Sequence, residues 1–106
     1  MIEMNKELFQ QMAVEGEKPV LVEFWAPWCV YCRRIAPALK KVAKEMEDKI
    51  QIAQVTIDDV PELAHQERIE VIPTLVIYHT GEELASIVAP ESKARIEEFI
   101  LDNIGQ

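Results

Sequence analysis

The sequence predicts one α/β domain, a mixed central sheet with helices packed on its faces. Three observations lead there. Strand-like apolar runs alternate along the chain with stretches of helical periodicity. The run Val20-Leu21-Val22-Glu23-Phe24-Trp25 is apolar on both of its alternating faces, the mark of a strand covered on both sides. Near the C-terminal end, Thr80-Gly81-Glu82-Glu83 is a turn too short for a crossover, so the runs it joins are antiparallel.

Each element has a local reason. Asn5 is placed to cap a first helix over 6–15, with Leu8, Phe9 and Met12 on one face and Gly16 ending it. Residues 19–26 follow as a strand. From about Cys29 to Asp48 the apolar residues Ile35, Leu39, Val42 and Met46 recur at steps of three and four, which predicts a long helix. Pro37 lies inside that helix, where it removes a donor and is expected to bend it, a structural role. Residues 50–57 form a second central strand. A short helix follows, capped by Asp58 or Asp59, with Pro61 in its first turn. Residues 74–79 make a third strand and 84–89 its hairpin partner. Ser92 caps a last helix whose apolar face is Ile96, Phe99, Ile100 and Ile104.

At 106 residues, 49% of them hydrophobic, the chain is long enough for a single core, read as one domain over 1–106. A net charge of -8 disfavours a phosphate-backbone partner. The opening residues carry no basic region followed by an apolar run, and no stretch is apolar for long enough to span a bilayer. The expectation is a cytoplasmic monomer that binds neither nucleic acid nor membrane.

Cys29 and Cys32 are the only cysteines. Such a pair chelates metal, staples a fold or exchanges electrons. A structural zinc site needs four ligands, and the two histidines, His65 and His79, are isolated from each other and from the cysteines. A staple across so short a loop stabilises little in a reducing compartment. Position favours the third use. Cys29 follows a buried strand and opens a helix, where unpaired N–H groups and the helix dipole favour a thiolate and lower its pKa. Cys32, one turn on, is placed to attack a mixed disulfide formed at Cys29. The expected centre is redox-active and needs no metal or other cofactor.

The stretch Val22-Glu23-Phe24-Trp25-Ala26-Pro27-Trp28-Cys29-Val30-Tyr31-Cys32, with Ile35-Ala36-Pro37 and Val71-Ile72-Pro73-Thr74 downstream, resembles the thioredoxin family. The likeness covers nearly the whole chain. It implies the thioredoxin fold and protein disulfide reductase activity, with disulfide-containing protein substrates and a thioredoxin reductase as partners. Glu23 interrupts an apolar strand, so it is either buried with a raised pKa or a strand-edge residue reaching solvent. The resemblance makes it the general base for Cys32, in a position where thioredoxins commonly carry Asp. Gln54 stands where most have Lys. An Ile72–Pro73 bond is trans by default; the resemblance implies cis, with the Ile72 backbone open to an extended substrate peptide. Trp28 is expected to be partly exposed beside Cys29, serving either substrate or packing, and Trp25 to support the site.

Val71 and Ala89 stand where typical thioredoxins have Gly, adding bulk where a substrate docks. Val30 and Tyr31 replace the usual Gly-Pro between the cysteines. They either tune the reduction potential toward a weaker reductant or act only on partner choice. Two rivals remain at this stage. One is a glutaredoxin- or isomerase-like enzyme, since Tyr before the second cysteine is common in glutaredoxins; the other is a non-enzymatic binding module on the same fold.

Overall fold

The computed structural model of the chain describes residues 1–105. Five strands form one sheet: β1 (Ile2–Glu3), β2 (Val20–Trp25), β3 (Gln51–Thr56), β4 (Thr74–His79) and β5 (Glu82–Val88). Their spatial order is β1-β3-β2-β4-β5. β1 and β2 run parallel to β3, whereas β4 is antiparallel to β2 and β5 to β4. Four α-helices complete the fold: α1 (Lys6–Phe9), α2 (Val30–Glu45), α3 (Pro61–Gln66) and α4 (Lys93–Ile104). The mixed sheet with helices on both faces is as the sequence predicts.

The alternation of β2 sorts the core into two layers. Val20, Val22 and Phe24 pack with Phe9, Ala13 and Leu63, the α1 and α3 side. Leu21 packs with Leu75, Ile77, Leu39, Val42, Ile96 and Ile100 on the side of α2 and α4. Fully buried aliphatic side chains such as Leu39 and Ile100 each contribute about 1.5–3 kcal/mol by leaving water. Glu23, two residues on from Leu21, is carried into the layer under α2 by the same alternation.

Four details differ from the sequence expectation. The first helix keeps α geometry only to Phe9 and widens into a π-helical turn over Gln10–Val14, where the Glu15 N–H donates to the Gln10 carbonyl at 2.9 Å. Over so few residues the spacing of Leu8, Phe9 and Met12 does not distinguish the two windings. Gly16 still ends the helix, because a Cβ there would sit 2.5 Å from the Met12 carbonyl oxygen. Second, β1 is an additional strand, too short to show periodicity, which pairs Glu3 with Gln54.

Third, neither Asp58 nor Asp59 caps α3. Val60 occupies that position without a side-chain bond, and Asp58 accepts from the Trp28 indole instead. Pro61 does sit in the first turn. Fourth, β5 starts at Glu82, because the turn needs only Thr80 and Gly81. Both have positive φ, 50° and 86°, the geometry whose twist matches a two-residue hairpin. The Gly81 N–H donates to the Ala13 carbonyl at 3.0 Å, satisfying a helix-end acceptor that would otherwise be orphaned.

Candidate active site

β2 delivers the chain to the N-terminal end of α2, and Cys29 is the capping residue there. Its backbone is extended (φ −81°, ψ 113°), and its Sγ accepts from the Cys32 N–H at 3.2 Å. The cysteine therefore fills the position usually held by a Ser or Asp oxygen, aimed at the free donors of the first turn. Cys29 and Cys32 are joined by a disulfide, with their Cα atoms 5.2 Å apart. The two cysteines are unequal. Cys29 is 8% exposed and Cys32 only 1%, so an incoming group reaches Cys29.

Three loops meet at the disulfide. Ile72–Pro73 is cis, and the Ile72 carbonyl oxygen lies 4.0 Å from Cys29 Sγ. The Ala89 N–H donates to the Pro73 carbonyl at 2.9 Å. Ala89 itself has φ 45°, the left-handed region that disfavours any residue with a Cβ. The Tyr31 hydroxyl donates to the Pro90 carbonyl at 3.1 Å, and the Arg34 guanidinium stands 5.8 Å over the Tyr31 ring.

Trp28 is 61% exposed, and its Nε1–H donates to Asp58 at 2.6 Å. Val30 and Val71 are exposed as well. Trp25 packs against the disulfide with Ala26, Tyr31, Ile57 and Ile72. Its Nε1 is buried and has no partner among the described residues. Pro37 lies on the exposed side of α2, which continues beyond it.

Glu23 is buried at 1% exposure, and the strand-edge alternative is excluded because β2 lies between β3 and β4. Its Oε1 accepts from the Gln54 amide at 2.9 Å, while Oε2 has no partner among the described residues. Burial pushes its pKa from 4.5 up to about 7; the Gln54 hydrogen bond opposes the rise and the charge of Glu3 adds to it. Gln54 gives a hydrogen bond without a compensating positive charge.

Among the described residues no group of three or more His, Cys, Asp or Glu side chains could hold a metal ion. His65 is exposed on α3, and His79 Nε2–H is engaged by the Glu17 carbonyl at 2.9 Å. The site is thus made of two sulfurs, a buried acid beneath the sheet-facing side of α2, and backbone from two further loops.

Of the site residues read from the sequence, the fold packs Trp25, Tyr31 and Ile72 against the Cys29–Cys32 disulfide and ties Pro73 and Ala89 to one another through their backbone. Asp58, Pro90, Glu3 and the Gln54 contact were not anticipated in these roles. They come from chain segments remote from the cysteines, and no local pattern marks them.

An N-terminal helix cap that is one half of a disulfide, reachable from solvent and backed by a buried partner sulfur, defines a thiol–disulfide oxidoreductase. Residues 1–102 match the family model Thioredoxin, and the chain belongs to that family. It is 38% identical over 92 residues to a thioredoxin of Alicyclobacillus acidocaldarius subsp. acidocaldarius, covering 87% of this chain and 88% of the relative. To a thioredoxin of Porphyra purpurea it is 37% identical over 89 residues, 84% and 83% of the two chains. A chloroplastic M-type thioredoxin of Chlamydomonas reinhardtii shares 35% over 96 residues, 91% of this chain and 69% of the relative. The protein is therefore a disulfide reductase and redox carrier whose substrates are disulfides. No helix among the described residues is long and apolar enough to cross a membrane.

Proposed function

We propose that this single domain reduces protein disulfides, with Cys29 as nucleophile, Cys32 as resolving thiol and Glu23 as the proton acceptor for Cys32. The Cys29 thiolate attacks one sulfur of the substrate disulfide, forming a mixed disulfide and releasing the first substrate thiolate. Cys32 then gives its proton to the Glu23 carboxylate, and its sulfur attacks Cys29 Sγ. The Cys29–Cys32 bond forms as the second substrate thiolate leaves, and the released thiolates take protons from water. Two electrons have passed to the substrate. A thioredoxin reductase returns two electrons to the protein and breaks the Cys29–Cys32 bond, and Glu23 gives its proton back to the Cys32 thiolate.

The observation that carries the reading is the difference in exposure between the two cysteines, 8% for Cys29 against 1% for Cys32, at the donor-rich end of α2. Substrate backbone is read as docking along Ile72 beside Cys29, between Trp28, Val71 and Ala89, with Trp25 and Pro37 supporting the site. Val30, exposed in the first turn of α2 between the cysteines, tunes the reduction potential toward a weaker reductant. The protein works as a monomer in a reducing cytoplasm without a cofactor, away from membranes and nucleic acid. Insulin serves as a test substrate. Cys29→Ser abolishes its reduction, and Cys32→Ser accumulates a mixed disulfide that a wild-type protein resolves. Full activity in Cys29→Ser refutes the assignment.

A further inference from the structure

The loop that precedes α4 is held to the active-site helix by one side chain. Among the described residues, only Tyr31 sends a side-chain hydrogen bond to residues 89–91, at the Pro90 carbonyl. Backbone ties the same loop to the third segment, through Ala89 N–H and the Pro73 carbonyl, and that segment reaches Cys29 through Ile72. The three walls around the disulfide thus form a closed ring: α2 to Pro90, Ala89 to Pro73, Ile72 back to Cys29. Tyr31 is the only member of the ring that closes it through a side-chain hydroxyl.

The Tyr31 ring is well placed for this. It is half-buried, packed both against the disulfide cluster and against the core beneath α2, with the Arg34 guanidinium over its face. The segment it holds is under backbone stress, since Ala89 occupies the left-handed region without being glycine. A loop with a strained residue and a single side-chain tether changes position when the tether is lost.

We propose that Tyr31 is a positioning and specificity-determining residue that clasps the 89–91 wall to α2 and so sets the width of the substrate crevice. This rests on the reading of the crevice as the substrate site. An extended polypeptide disulfide spans both walls and uses their fixed spacing. A small disulfide touches only the sulfur and does not. The clasp therefore acts on polypeptide substrates, through preorganisation of the crevice, and not on sulfur chemistry.

The test is Tyr31→Phe, which keeps the ring and removes only the hydroxyl donor. Reduced protein is mixed in single turnovers with insulin, a polypeptide disulfide, and with 5,5′-dithiobis(2-nitrobenzoate), a small one. The second-order rate constant for insulin is expected to fall about fivefold, the equivalent of one net hydrogen bond. The small disulfide and the reduction potential are expected to stay within about 1.5-fold and a few millivolts, as the clasp leaves the sulfur chemistry alone. Amide hydrogen exchange at Ala89, whose N–H is bonded to the Pro73 carbonyl, is expected to rise about tenfold, a readout independent of activity.

Equal losses with both probes place Tyr31 on the sulfur chemistry and overturn the clasp. A lowered Tm with an unchanged insulin preference and unchanged exchange makes the hydroxyl merely structural, which also overturns it. A wild-type protein that turns over neither probe instead refutes the proposed function, and faster exchange at Ala89 in Tyr31→Phe still supports the tether.

Discussion

Glu23→Gln isolates the contribution of the buried acid. The substitution keeps the shape and the oxygen that accepts from Gln54, and removes the proton that titrates. Burial raises the Glu23 pKa from 4.5 to about 7, despite the Gln54 bond and with the help of Glu3. At about 1.4 kcal/mol for each pH unit of that rise, the folded state carries a penalty of about 3 kcal/mol when Glu23 is ionised. Below pH 4.5 the carboxyl is protonated in folded and unfolded chains alike, and the penalty is absent. Between 4.5 and 7 the unfolded chain loses the proton first, so the folded state binds more protons and stability falls as pH rises. Above 7 the whole penalty is present. Gln at position 23 has no such dependence.

The assay is guanidinium unfolding of the oxidised protein from pH 4 to pH 8.5, followed by tryptophan fluorescence, for both proteins. Oxidation removes thiol titration from the comparison. Because other groups contribute equally to both curves, the difference is read. It is expected to grow by about 3 kcal/mol in favour of Glu23→Gln across this range, against a total stability of order 5–15 kcal/mol for a domain of this size. A difference that stays constant within about 0.5 kcal/mol refutes the reasoning, because it leaves Glu23 with an ordinary carboxylate pKa.

Ala89→Gly relieves the left-handed backbone at φ 45°. About 1–2 kcal/mol of relief, offset by about 0.4–1 kcal/mol of added unfolded-state entropy, leaves a net gain of up to about 1.6 kcal/mol. Thermal unfolding is expected to show a Tm raised by a few degrees, and a lowered Tm contradicts the strain. Replacing Val30-Tyr31 with Gly-Pro removes the backbone N–H of the second residue of α2, one of the first-turn donors available to a Cys29 thiolate. The reduced form loses stabilisation, so the reduction potential is expected to fall by tens of millivolts at about 30 mV per 1.4 kcal/mol. Equilibration with a glutathione or dithiothreitol redox buffer measures it; a higher value contradicts the prediction.

Much of the architecture was legible because its signals are local. β2 declares itself by being apolar on both faces, β4 has the bounds the run Thr74–His79 predicts, and the helix caps Asn5 and Ser92 accept from Leu8 and Arg95 as their positions suggest. Cys29 and Cys32 were legible through the same logic, a strand ending and a helix beginning. What escaped were decisions taken by distant segments. Asp58 had two uses, capping α3 or binding Trp28, and only the folded chain puts an indole N–H within reach. β1 is two residues long and is defined by its pairing with β3. Tyr31 could be read as a tuner of the sulfurs or as surface variation, because its hydroxyl meets a carbonyl 59 positions away in the sequence.

The short β1 strand has a practical consequence far from the cysteines. It docks alongside β3, where Glu3 lies opposite Gln54, the residue that holds Glu23. Glu3 adds to the force that keeps Glu23 protonated. The charge state of an acid beneath the active-site helix is thus set in part by the third residue of the chain. Replacing Glu3 by an uncharged residue takes away that contribution and moves the Glu23 pKa down.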